Sequence, residues 1–230
     1  MSDTLERLAS IALTVLLVMF SAIVHEVAHG LAALACGDPT AKEHGRLTLN
    51  PAAHLDGFGS VLLPLVMALL GGPVFAFAKP VPYNPHRLRN PRRDELVVAL
   101  AGPASNLLQA LLGAGVLHLA WEPLTSAVLA GSLSIEVFDW IYTALYTYVA
   151  VNLVLCFFNL IPIPPLDGSK VVLYFLSGEA RASYYHLQQY AMPILIVVLY
   201  LVPSMLRVDP VGMYLDATAY RLLDLLLMGV

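Results

Sequence analysis

Apolar residues fall in long runs along this chain, and polar residues gather between them. The first run covers residues 8–36, and its only ionisable side chains besides the Cys36 thiol are His25, Glu26 and His29. Further runs cover residues 60–78, 96–120, 140–160 and 187–202. A helix needs about 20 apolar residues to cross a bilayer, so several of these runs qualify. Run 60–78 is interrupted by Pro64 and by Gly71-Gly72-Pro73, which predicts a kinked crossing or a re-entrant hairpin. Run 187–202 is predicted to kink at Pro193. The last stretch, 211–230, sets Asp216, Tyr220, Arg221 and Asp224 on roughly one helical face with leucines opposite. That pattern suits an interfacial or bundle-packed helix better than a lipid-facing span. The expectation is an all-α polytopic membrane protein, one domain over residues 1–230, built as a bundle of about five to six membrane segments.

Between the runs, the first helix is expected to stop near Cys36, with Gly37 as its terminator. The polar connection 38–57 contains a short extended piece at Thr48 and Leu49 and a turn at Asn50-Pro51. Residues 79–93 carry Lys79, Arg87, Arg89, Arg92 and Arg93 together with Pro80, Pro82, Pro85 and Pro91. The prolines predict a non-helical loop, and the positive charge places it in the cytoplasm. After Ala120 the chain offers Glu122, Glu136 and Asp139 without Lys or Arg, as expected of the outer face.

Composition agrees with the membrane reading. Of 230 residues, 59% are hydrophobic and only 12% charged, which excludes an ordinary soluble domain. The net charge of −4 adds little, and nothing suggests nucleic-acid binding. Cys36 and Cys156 read as small core residues and imply no disulfide framework. The N-terminus holds Asp3, Glu6 and Arg7 ahead of a run too long for a signal peptide. Leu34-Ala35-Cys36-Gly37 faintly resembles a lipoprotein cleavage site, but cutting there would remove the helix that carries His25 and His29.

Those histidines are the first candidate chemistry. His25-Glu26-x-x-His29 puts two imidazoles one helical turn apart on one face, aimed at one metal ion. Glu26 flanks them, where it can take a proton from a water at the ion. Ionisable groups at membrane depth are costly and usually functional. A catalytic zinc takes three protein ligands and keeps a position open. Asp167 is the best third ligand: it follows the apolar run 140–160 and precedes Gly168, which permits a tight turn. His44, His54, His86, His118 and His186 are weaker candidates.

Shared ligation constrains topology. Seventeen uncharged residues separate Arg7 from His25, rising roughly 26 Å as a helix against a hydrocarbon core of about 30 Å. His25 therefore lies near the far face from the N-terminus. If Asp167 is cytoplasmic, the first helix runs from outside to inside, and 60–78 must leave and return on the same side. That favours the re-entrant hairpin over a full crossing, and it places the site nearer the cytoplasmic face.

Three motifs together, His25-Glu26-x-x-His29, Gly102-Pro-Ala-Ser-Asn106 and Asn159-Leu-Ile-Pro-Ile-Pro-Pro-Leu-Asp167-Gly168, resemble the site-2 protease family of intramembrane zinc metalloproteases. The likeness covers roughly residues 22–170, and the loop pieces GRLTLNPAAHLD and AKPVPYNP are similar to a compact prokaryotic branch without an appended PDZ or CBS module. The resemblance implies one catalytic Zn2+ on His25, His29 and Asp167, with Glu26 as base. It implies that Asn159 helps hold substrate or the oxyanion, and it gives Asn106 a place in a motif of less settled role. It also implies a prokaryotic cytoplasmic-membrane enzyme whose partners are the lipid bilayer and substrate proteins with a transmembrane segment. Such substrates must arrive laterally and unwind, so the hairpin and the proline-rich loop are where a gate or an edge strand for extended substrate is expected. A metal-ion transporter also places His and Asp at membrane depth, but it needs no Glu fixed beside the first His. An inactive binder of transmembrane helices has no need of Glu26 and three ligands.

Overall fold

The computed structural model describes residues 2–54 and 79–230. Three long helices dominate: α1 (Ser2–Ala35), α3 (Pro91–Leu129) and α4 (Ile135–Asn159). Between the first two lies the single turn α2 (Thr40–Glu43). All three long helices are long and apolar enough to cross a membrane. A fourth candidate is the pair α6 (Gly178–Gln188) and the segment Ala191–Leu206, bent by 78° at the break before Pro193. The described residues thus supply three spans, or four if the bent pair counts as one. The expected hairpin at 60–78 lies outside the described residues.

α1 packs on both α3 and α4, and α3 against α4 is the most extensive interface. α3 buries one stripe: Gly102, Pro103, Asn106, Gln109, Ala110, Gly113, Ala114 and Leu117. The stripe is polar towards the helix N-terminus and small towards its middle. Small residues let helices approach closely where lipid offers no hydrophobic drive. Ala110, Ala114 and Leu117 meet Val149 and Leu153 of α4 in the main core. The same core takes Ala219, Leu223 and Leu227 from the last helical stretch, which runs Pro210–Leu215, a π turn Asp216–Tyr220, and Arg221–Leu226. Residues 211–230 are therefore packed into the bundle, as their one-sided pattern predicts.

Two boundaries differ from the sequence reading. The helix expected from residue 96 starts at Pro91, because proline is tolerated in the first turn, where its missing N–H has no partner to lose. Asp94 secures this start by accepting from the Asn90 N–H at 2.8 Å. The helix also continues through Glu122 to Leu129, leaving only residues 130–134 as the connection. The extended piece at Thr48 and Leu49 is not a strand, and no strand forms among the described residues. Local side chains take its backbone instead: Thr48 Oγ1 accepts from Asn50 N at 3.1 Å, and the His54 ring bonds the Thr48 carbonyl at 2.8 Å.

α1 stops where Gly37, at φ +106°, turns the chain out of the helix. The next residue, Asp38, is fully buried and gathers the polar segments. It accepts from Thr40 N, Thr40 Oγ and the Asn84 N–H. Arg46 donates to the Lys79 carbonyl at 2.7 Å, and Lys79 N donates to the His54 carbonyl at 2.9 Å. The chain on either side of residues 55–78 therefore sits together at one end of the bundle.

Candidate metal centre

Three elements converge at that end. α1 presents His25 and His29 one turn apart. α4 ends at Asn159, and a proline-rich turn carries the chain to Asp167, which opens α5 (Gly168–Phe175). The turn is tight: a side chain at Gly168 would collide with the carbonyls of Leu160 and Ile161. α3 passes against the Nε2 edges of the histidines at Gly102, where any Cβ would overlap both imidazoles. Glycine here is required by close approach, not by backbone torsion.

The ligand atoms meet closely. His25 Nε2 is 3.1 Å from Asp167 Oδ2, His29 Nε2 is 3.2 Å from the same oxygen, and the two Nε2 atoms are 3.0 Å apart. His25 and Asp167 are buried at 6% and 8% exposure. His29 Nδ1 lies 2.6 Å from the Val98 carbonyl, which can only accept, so the ring hydrogen sits on Nδ1. His25 Nδ1 lies 2.6 Å from Asn106 Oδ1 and carries its hydrogen in the same way. Both Nε2 atoms therefore turn lone pairs towards each other and towards a carboxylate. Three acceptors facing one another in a buried space repel unless a cation lies among them. Ligand atoms about 2.0–2.1 Å from a tetrahedral zinc are themselves about 3.3 Å apart, close to the spacing seen. The donor set of two imidazoles and one carboxylate fits Zn2+.

Glu26 stands beside this cluster without joining it. Its Oε2 accepts from the Val81 N–H at 2.7 Å, tying the base candidate to the proline-rich segment. Asn106 is fully buried and contacts His25 directly. Asn159 is half-buried, and its amide donates to the Leu155 carbonyl of its own helix at 2.9 Å. The weaker candidates do not gather there. His44 bonds the Thr40 carbonyl, His54 that of Thr48, and His118 that of Leu226, while His86 and His186 are exposed. Sequence reasoning missed Ser21 and Asn152, both fully buried next to Asn106. The available signal for Asn152 was a lone amide inside an apolar span.

Comparison with known proteins gives a consistent result. The family model for peptidase family M50 matches residues 13–202. The chain is 36% identical to the Bacillus subtilis protein named "Putative zinc metalloprotease YwhC", over 87% of this chain and 82% of that one. It is 29% identical to "Putative zinc metalloprotease Rip2" of Mycolicibacterium smegmatis, over 90% of this chain and 74% of the relative. No solved structure gives a significant match. A family match that runs from α1 past the Asp167 turn takes in His25, His29 and Asp167 alike, and the chain belongs to peptidase family M50, the site-2 protease family of zinc metalloproteases.

Proposed function

We propose that this protein is an intramembrane endopeptidase that cuts peptide bonds within or near transmembrane segments of substrate proteins. The observation that carries the reading is the buried meeting of His25, His29 and Asp167 at the inner reach of a membrane-length helix, with Glu26 alongside. Zinc held there supplies Lewis acidity towards a peptide carbonyl and makes nearby water easier to deprotonate. Glu26 takes the proton of the attacking water and returns it to the leaving amine. The Val81 N–H engages one carboxylate oxygen and leaves the other for that exchange. Asn159 is the residue proposed to face the charge that develops on the carbonyl oxygen, by turning its amide from Leu155. Asn106, already engaged on both its oxygen and its nitrogen, acts by holding His25.

Substrate reaches the centre laterally and extended. The irregular segment 79–90, tied to Glu26 through Val81, is the proposed gate or edge for it. The re-entrant reading of 60–78 is kept as part of this proposal, and the hydrogen bond between Lys79 and His54 supports it. The site end also carries Lys42, Arg46, Arg87, Arg89, Arg92 and Arg93, which favours its placement at the cytoplasmic face of a prokaryotic membrane.

The test is cleavage of a panel of single-span substrates in liposomes. Glu26→Gln should lose about 10²–10⁴-fold in rate while keeping its zinc. If neither protein cuts and both carry zinc across the bilayer, the protease reading fails in favour of transport.

A further inference from the structure

Asn106 of α3 and Asn152 of α4 lie fully buried between the three long helices. An amide has a donating and an accepting end, and a half-turn exchanges them. Here neither amide is free to turn. The Tyr148 carbonyl, which can only accept, lies 2.9 Å from Asn152 Nδ2, and Ser21 Oγ lies 2.9 Å from the same nitrogen. Asn152 must therefore offer its oxygen to Asn106, whose Nδ2 donates to it at 2.9 Å. The Ser21 carbonyl draws that same nitrogen through a longer contact of 3.5 Å. Asn106 is left with its oxygen towards His25, which must answer with hydrogen on Nδ1 at 2.6 Å. The lone pair of His25 is then fixed on Nε2, facing His29 and Asp167.

We propose that Asn152, with Ser21, is a positioning residue: it sets the orientation of the Asn106 amide and through it the tautomer in which His25 meets zinc. The proposal rests on the reading of His25 as a zinc ligand. Its sense is directional. With Asn106 reversed, an N–H would face His25 Nδ1, the ring hydrogen would move to Nε2, and that hydrogen would point at the metal. Groups behind a ligating imidazole hold its orientation and tautomer in this way. Asn152 lies outside all three sequence motifs, seven residues before Asn159.

The experiment measures zinc affinity of the detergent-purified, metal-stripped full chain by chelator competition. Wild type against His25→Ala tests the ligand reading first: tight binding lost in the variant supports it, and equal binding overturns both it and the relay. With the ligand reading in place, Asn152→Leu and Asn152→Ser should each weaken zinc binding about 10–100-fold. Cobalt-substituted protein should show shifted visible absorption bands in both variants. Gln109→Leu is the control, because it removes a part-buried side-chain bond between the same two helices, Tyr148 Oη to Gln109 at 3.0 Å, that does not lead to His25. It should leave zinc affinity within about twofold of wild type and the cobalt bands in place. Should Asn152→Leu fail to fold, the smaller and still polar Asn152→Ser decides. Wild-type affinity and cobalt bands in a folded Asn152 variant would overturn the proposal. So would an equal loss in Gln109→Leu, which would reduce Asn152 to ordinary helix packing.

Discussion

Gly102 shows how a single hydrogen atom in place of a methyl group governs the centre. In isolation, alanine stabilises a helix interior by about 1 kcal/mol over glycine. At this position the added carbon would occupy space held by both imidazoles. Gly102→Ala should lose zinc on purification and at least about 100-fold in activity, since displacing reacting groups by an ångström costs that much. Gly115, on the same helix with open space around it, is the counterpart: Gly115→Ala should leave metal content unchanged and raise the thermal midpoint slightly. The histidine pair, Glu26 and Asp167 were all legible in the sequence, because their spacing and their setting among apolar residues are local signals. The partner of Gly102 was not, since the imidazoles it accommodates lie more than seventy residues away. That Asn106 touches His25 was hidden for the same reason. Which amide reaches the histidine depends on how α3 rotates against α1.

At the scale of elements, the polar collar around the site depends on Asp38. Three donors from two segments converge on this buried carboxylate. Burial raises its pKa, but the bonds from Thr40 and Asn84 more than compensate and leave it below the ordinary range. A group whose folded pKa is depressed contributes stability above its unfolded pKa, near 3.9, and that contribution is lost as pH falls through the folded value. Protection of residues 79–90 from hydrogen exchange, relative to an unstructured chain at the same pH, should stay high at pH 5 and fall below about pH 4. Asp38→Ala should exchange fast at both, with a loss of about 2–4 kcal/mol from its charge-assisted bonds. Exchange at pH 5 as slow in the variant as in wild type would sink the assignment. The long helices were readable from their apolar runs, whereas their ends were not. Pro91 was taken to forbid a helix that it in fact begins, and the Thr48 backbone was captured by side chains that no alternation pattern reveals.

For the whole molecule, the prediction concerns which membrane face holds the centre. The loop 130–134 lies at the end opposite His25, His29 and Asp167, and His44 and His86 flank the site end. With Cys36 and Cys156 replaced, a membrane-impermeant thiol reagent on intact cells should label Ser132→Cys and spare His44→Cys and His86→Cys until the cells are permeabilised. Labelling of the two histidine positions from outside would reverse the orientation. Opposite behaviour of His44→Cys and His86→Cys would mean that 60–78 crosses the bilayer.

The distance along the chain between His25 and Asp167 also sets a timetable. The two ligands are 142 residues apart, which at ribosomal speeds of about 5–20 residues per second amounts to about 7–28 s of synthesis. Throughout that interval the nascent chain holds Glu26 and the two imidazoles without the Asp167 carboxylate. α3 and α4 must both be made before the carboxylate arrives. The three-residue cluster thus closes late, after the bundle that confines it, and a product truncated before Asp167 would carry the histidine pair without its carboxylate.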